Sequence, residues 1–311
     1  MPPAFQSLLA ALLITVLLTG EAFSGWLENR ASATDLLAAG QVDRAYALVT
    51  GARVADRFLH EKEFLSGVVA TAVLGRPDVA HGHFVRAIEP IAHLPASRRP
   101  RAAAKTGYWI GRVLERMGNV ADAAQAYAAA AAHPTTWYGQ MAAARLGQRH
   151  DLREWRDSSF PILDVHWRDP RVSSSFVHAV IRTESNFRTG AVSVVGAKGL
   201  MQVMDGTARA IGRSIGMPID VDAMRTNPDY NVAVGSHFLA RMAVRYGGDQ
   251  LLAAAAYNAG PGAVDQWITR LGDPRTHADR ATWVELIPYR ETRHYVKKVL
   301  AAERVYRDSG V

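Results

Sequence analysis

Glu184 stands where an apolar side chain is expected. The run Ser175 to Phe187 predicts a helix whose apolar stripe passes through Val177, Val180 and Ile181, and the next position on that stripe is Glu184. A carboxyl group held against apolar neighbours has its charged form disfavoured, so its pKa rises and it can act as a general acid near neutral pH. The helix alone also fits a blander reading, in which the phase is shifted by one residue or the side chain snorkels to a salt bridge. Two further segments carry polar groups at unusual places. Ser193 to Met204 is a loop punctuated by Gly196 and Gly199 that runs into Leu200-Met201-Gln202-Val203-Met204, an apolar stretch with one embedded amide. Its glycines permit sharp turns and close backbone approach, so the loop can fold back over the carboxylate. Ala255 to Gly262 reads as an alanine-rich helix ending in Asn258, Gly260 and Pro261, which sets the Tyr257 phenol beside a tight turn, within reach of a ligand.

Each of these residues also has a purely structural use. Met201 and Met204 suit gap-filling in a core. Gln202, if buried, must be hydrogen-bonded, so it either ties down its loop or binds a ligand. Tyr257 could be a packed aromatic with a satisfied hydroxyl.

Taken in order, the segments resemble the lytic transglycosylases of the soluble, goose-type-lysozyme-like class with a transglycosylase SLT domain. Glu184-Ser185 matches the Glu-Ser pair that ends that family's first catalytic helix, and the resemblance makes Glu184 the single acid/base. Gly199 to Met204 matches the Gly-Leu-Met-Gln-hydrophobic-Met block, which implies that Gln202 and Met204 line a sugar cleft. Ser193 falls on the position that contacts substrate near the acid. Ala256 to Gly260 matches the Ala-Tyr-Asn-Ala-Gly block, implying substrate contacts for Tyr257 and Asn258. Glu285 to Val296 resembles the closing motif, whose first Glu borders the glycan groove. Four motifs in the right order over roughly the last 150 residues form a specific signal, where one alone would be weak. The family's usual Pro after the second Met is replaced by Asp205, which can still start the following helix by capping it.

The implied reaction is non-hydrolytic cleavage of the β-1,4 bond between N-acetylmuramic acid and N-acetylglucosamine, closing a 1,6-anhydro ring. Ordinary glycosidases set two carboxylates across the scissile bond. Here the motif core holds Glu184, with Asp205 the nearest acidic alternative in sequence. A hydrolytic lysozyme-like muramidase would share the same acid, and a non-catalytic wall-binding adaptor acting through the preceding helices would keep the groove without needing it.

The elements that must position these residues are helical, since β-branched alternation is short throughout and the long periodic runs have helical spacing. The expected fold is all-α: a lysozyme-like helical catalytic domain preceded by an α-helical, tetratricopeptide-like solenoid, with a small hairpin near Ser193 to Gly199. The solenoid reading rests on Gly40, Gly75 and Gly118, each a turn glycine ahead of a helix with an early acidic residue and small Ala positions. Trp109, Ile110, Val113, Leu114 and Met117 form a helical stripe before the last unit. Pro134 to Gln140 resembles the join between helical arm and catalytic domain in the larger transglycosylases, and Ser158 to Pro170 reads as a linker. The expected domains are 1–24, a signal peptide or membrane anchor; 25–157, the helical repeat-like segment; and 158–311, the transglycosylase domain.

Composition sets the bounds. The chain has 311 residues, 49% of them hydrophobic and 21% charged, ordinary globular material for one large or two modest domains. A net charge of +7 favours an anionic surface such as cell wall or membrane, but the charge forms no basic stripe of the kind nucleic acid needs. The absence of cysteine excludes disulfides, an Fe–S site and a lipid-modified cysteine. The histidines are scattered without metal-ligand spacing, so neither metal nor cofactor is expected. Leu8 to Leu18 is an apolar run of signal-peptide length, followed by small residues suited to cleavage after Ser24, although no Lys or Arg precedes it. The expected location is periplasmic or exported, cleaved or held at a membrane by this N-terminus. The expected partners are peptidoglycan glycan strands and, through the helical segment, other proteins.

Overall fold

The computed structural model describes residues 25, 26, 28–155, 159–165, 168–216, 218–276 and 279–311. The signal or anchor segment at 1–24 lies outside the described residues. In chain order the helices are α1 (Val42–Gly51), α2 (Leu59–Ala72), α3 (Pro77–Arg86), α4 (Arg99–Arg116), α5 (Val120–Ala131), α6 (Trp137–Arg145) and α7 (Ser174–Glu184). They continue as α8 (Asp205–Ile215), α9 (Ala223–Thr226), α10 (Pro228–Arg245), α11 (Gln250–Ala259), α12 (Pro261–Leu271), α13 (Arg280–Leu286) and α14 (Arg290–Asp308). Among the described residues β structure is limited to two isolated bridges, Val192 with Lys198 and Lys198 with Val203. The fold is all-α, and the hairpin near Ser193 to Gly199 takes the form of these bridges. No described helix is long and apolar enough to cross a membrane.

By contacts the chain divides into two units, Met1–His133 with Ala278–Pro288, and Pro134–His277 with Tyr289–Val311. In the first, each of α1 to α4 packs on its successor, and α13 joins them against α2. Gly40, Gly75 and Gly118 all have positive φ at the turns before α1, α3 and α5. The centre of this unit is aromatic: the rings of Phe64, Phe84 and Trp109 lie 5.5 to 6.0 Å apart, the spacing that tilted and edge-on rings prefer. Gly67 makes room for Phe84, whose ring would lie 2.6 Å from an added Cβ. The α4 stripe buries Trp109, Val113 and Leu114, whereas Met117 caps the helix end and is exposed.

The second unit is built around α11, in which Leu251 to Tyr257 are all buried. Four consecutive alanines, Ala253 to Ala256, let α10, α12 and α14 approach closely on its sides. Asp249 caps α11 through the Leu252 amide, and Gly260 at φ 83° breaks the chain into α12, which opens with Pro261. α7 packs along α14, α8 against α10, and α6 against α14. The segment that reads as a linker from its prolines is tied down where it is described. Phe160 and Val165 are buried, Tyr306 donates to the Pro161 carbonyl at 3.1 Å, and the Asp169 amide donates to Ser236 at 2.8 Å. Proline and polar composition signals irregular backbone, and irregular backbone can still be anchored by the apolar residues spaced along it.

Candidate active site

α7 starts at Ser173, whose hydroxyl accepts from the Phe176 amide at 3.2 Å, and buries Phe176, Val177, Val180 and Ile181. Those residues fix its rotation, and Glu184 follows as its last residue. Asn186 and Phe187 then adopt φ of 50° and 63°, two successive left-handed non-glycine residues. Such backbone is costly for L-residues and clusters at functional sites. Its effect here is to stop the helix at the carboxylate and turn the chain back along the same side.

The space so formed is a cleft of about 590 Å³ lined by Glu184, the loop from Arg188 to Ser193, and Gln202. Burial pushes the Glu184 carboxyl up from its ordinary 4.5 to about 7; Tyr295 pulls it down, and the Glu291 carboxylate adds to the rise. Its place at the carbonyl end of α7 acts in the same direction as burial, because the helix dipole is negative there. Near neutral pH the group is therefore divided between acid and base.

Gln202 lines the cleft in a left-handed conformation, φ 47°, and its amide nitrogen donates to Ala191 O at 3.1 Å and Gly199 O at 2.9 Å. Its donors thus brace the loop, leaving the amide oxygen for other contacts. Ser193 also lines the cleft, while its hydroxyl accepts from the Ala197 amide at 2.9 Å. Met201 is fully buried and Met204 is exposed at the start of α8. The buried Tyr257 donates its hydroxyl proton to Met201 O at 2.7 Å. Asn258 accepts from the Thr292 hydroxyl at 2.7 Å, joining α11 to α14. Glu285 is buried on α13 in the first unit, where its backbone carbonyl accepts from Arg30 at 2.5 Å.

Asp205 differs from expectation. It is the first residue of α8 rather than its cap, and its carboxylate pairs with Lys198 at 2.6 Å. A carboxylate in the first turn still suits the helix dipole, and the lysine offers it a stronger partner than a backbone amide.

Three residues that motif reading left aside complete the site. Tyr295, from α14, is buried, and its hydroxyl makes no hydrogen bond of regular geometry, yet it lies close enough to Glu184 to favour the carboxylate. Arg188 brings a cation to the cleft lining. Asn231 is buried and pins the motif turn from α10. It accepts from the Met201 amide at 2.8 Å and donates to Lys198 O at 2.9 Å and Met224 O at 2.8 Å. Gly199 is required beside it, since a Cβ there would stand 2.2 Å from the Asn231 amide. The spacing of Glu291 and Tyr295, four apart on a predicted helix, was the one available signal that both face the same neighbour.

An all-α fold with a raised carboxyl at a helix end, in a cleft of about 590 Å³, is of the lysozyme-like helical class. Comparison with known proteins narrows it: residues 165–279 match the family model of the transglycosylase SLT domain. The match covers the segment 165–279 and so takes in Glu184, the glycine-punctuated loop and Tyr257. It is 38% identical over 141 residues to the soluble lytic murein transglycosylase of Salmonella typhimurium, covering 45% of this chain and 21% of that protein. It is 37% identical over 137 residues to the Escherichia coli K12 protein of the same name, covering 44% and 21%. The chain thus spans about a fifth of the length of these curated relatives. Among solved structures it resembles the lytic transglycosylase Slt of Pseudomonas aeruginosa, an inactive mutant with glutamine in place of a glutamate. That match has a TM-score of 0.69 and 25% identity, over 92% of this chain and 57% of that one. A 70-kDa soluble lytic transglycosylase in complex with bulgecin A shares the fold, with a TM-score of 0.56 and 19% identity over 99% and 68%.

Proposed function

We propose that the chain is a peptidoglycan lytic transglycosylase that cleaves between N-acetylmuramic acid and N-acetylglucosamine and leaves a 1,6-anhydromuramic end. The observation that carries this reading is Glu184, a carboxyl raised to about 7 in a cleft of about 590 Å³ whose lining, among the described residues, contains no second carboxylate. Protonated, it donates to the glycosidic oxygen as the bond breaks, and the substrate's acetamido oxygen assists at the anomeric carbon. As a carboxylate it then takes the proton of the muramyl C6 hydroxyl, whose oxygen closes the anhydro ring. Both steps use one group, and a pKa near the working pH lets it serve in either state. The attacking hydroxyl is tethered to the reacting sugar, so no water needs to be positioned and the closure gains from proximity.

The residues in substrate contact on this reading are Ser193, Gln202, Met204, Tyr257, Asn258 and Glu285, and the first two already line the cleft with Glu184. The helices before Pro134 serve as a tetratricopeptide-like arm that positions the domain on the wall or on protein partners, and the protein acts in the periplasm or outside the cell. Supporting the arm is the sequential packing of α1 to α5. Mass analysis of products from purified peptidoglycan tests the reaction: anhydro ends are expected. Reducing ends would make the protein a hydrolase, and intact glycan would remove the activity.

A further inference from the structure

We propose that Arg188 is a specificity-determining residue that recognises a carboxylate carried on the O3 lactyl arm of the muramyl unit. The inference deepens the peptidoglycan reading above and rests on it.

Arg188 lines the same cleft as Glu184, where it is exposed and open to a ligand, and among the described residues it is the single cation of that lining. The left-handed pair Asn186 and Phe187 lies between them in the chain, and Arg188, four residues after Glu184, lines the same cleft. Its Nε donates to the Ser185 carbonyl at 3.0 Å, which orients the guanidinium and leaves both Nη groups for another acceptor. Among the described residues no acidic side chain pairs with it, although arginine elsewhere in the chain is commonly held by one, as Arg171 is by Asp169 and Arg245 by Asp265. A planar, oriented fork of this kind matches a carboxylate with two parallel hydrogen bonds.

The substrate gives the need. A muramyl unit differs from N-acetylglucosamine by its lactyl ether, an acid. In stem-free glycan that carboxylate is free; in stem-bearing glycan it is amide-linked, and the carboxylates nearest to it belong to the peptide. Either anion enters a cleft already biased against negative charge by Glu184 and the neighbouring Glu291. Arg188 is the cation that the cleft lining offers such an anion.

Binding to the full chain separates the cases. Glu184→Gln and Glu184→Gln with Arg188→Gln are titrated with three oligosaccharides of equal length: stem-free acidic glycan, stem-bearing glycan, and uncharged N-acetylglucosamine oligomer. The expected result is a loss of about 10- to 100-fold for an acidic oligomer on removing Arg188, with the uncharged one unchanged. Loss confined to stem-free glycan assigns the lactyl carboxylate, and loss confined to stem-bearing glycan assigns the peptide. Arg188→Lys should restore part of the affinity as a point charge without the fork. In Arg188→Gln alone, KM for the acidic glycan should rise with kcat nearly constant. Equal loss on all three oligomers, no loss, or no binding of any oligomer overturns the proposal. Wild-type cleavage products are scored separately, so a protein that prefers acidic glycan without forming anhydro ends refutes the reaction and not the recognition.

Discussion

The hydroxyl of Tyr257 donates to the backbone carbonyl of Met201 at 2.7 Å, so its proton is committed to the motif turn and not to the acid. Any substrate contact by this phenol uses its remaining lone pair. Tyr257→Phe leaves a buried carbonyl without its donor and should cost about 1–2 kcal/mol, read as a melting point lower by a few degrees. Turnover should fall less than tenfold. A loss of turnover of a hundredfold or more with an unchanged melting point would show that the hydroxyl acts on the reaction itself.

Glu184→Gln keeps the shape of the side chain and cannot move the proton. General acid–base help supplies roughly 10²- to 10⁴-fold, and a group used in both steps should show at least the upper end of that range. Cleavage within about tenfold of wild type would remove Glu184 from its role.

The same substitution reads the burial cost. The folded pKa of about 7 exceeds the ordinary 4.5, so the native state holds the proton more tightly than the unfolded chain. The stabilisation from this group is fully present below about 4.5 and is lost as pH rises through about 7, where the buried carboxylate carries a penalty of up to about 3 kcal/mol. Glu184→Gln should therefore melt at a higher temperature than wild type near pH 8 and at the same temperature near pH 4. Thermal melts across that range check the sign.

Tyr295 acts on the acid from α14, and the groups that interact with Glu184 are Tyr295 and Glu291 on that helix and Tyr257 on α11, while Arg188 shares its cleft lining. Tyr295 favours the carboxylate, so Tyr295→Phe should raise the Glu184 pKa and move the alkaline limb of kcat/KM to higher pH. Stability should hold or improve, because the hydroxyl is buried without a regular partner. An unmoved pH profile would reduce Tyr295 to packing.

Much of this site is legible along the chain because α7 is short-range: three apolar residues fix its phase, and Glu184 breaks the pattern. The turn glycines and the Ala-rich α11 are local signals of the same kind. Tyr295 was not legible, since a tyrosine between His294 and Val296 reads as one more buried position until α14 is laid along α7. Asn231 likewise marks a helix start in sequence, and only the fold shows that its side chain holds three backbone groups 7 to 33 residues away. Asp205 misled because capping and ion pairing make the same demand on sequence. The competing partner, Lys198, arrives through the loop's bridges.

The division of the chain bears on how it can be shortened. α6 lies before position 158, yet Gln140 donates to the Ala301 carbonyl of α14 at 3.0 Å, and Ser309 reaches Leu152. A chain beginning at Ser158 would lose both contacts; one beginning at Pro134 would keep them. Neither keeps the partners of α13, whose Trp283 and Val284 are buried and whose first turn is held by Arg112 to Asp279 in the first unit. Exposing those two side chains costs about 1.5–3 kcal/mol each. We therefore expect the Pro134 chain to melt below the full chain and to bind a hydrophobic dye through α13, and the Ser158 chain to be less stable still. If the arm only positions the domain, the Pro134 chain should cleave soluble glycan at near the full-chain rate and slow on intact sacculi. Folded by circular dichroism but inactive on both, it would instead place part of the active site in the first unit, with Glu285 the first residue to test.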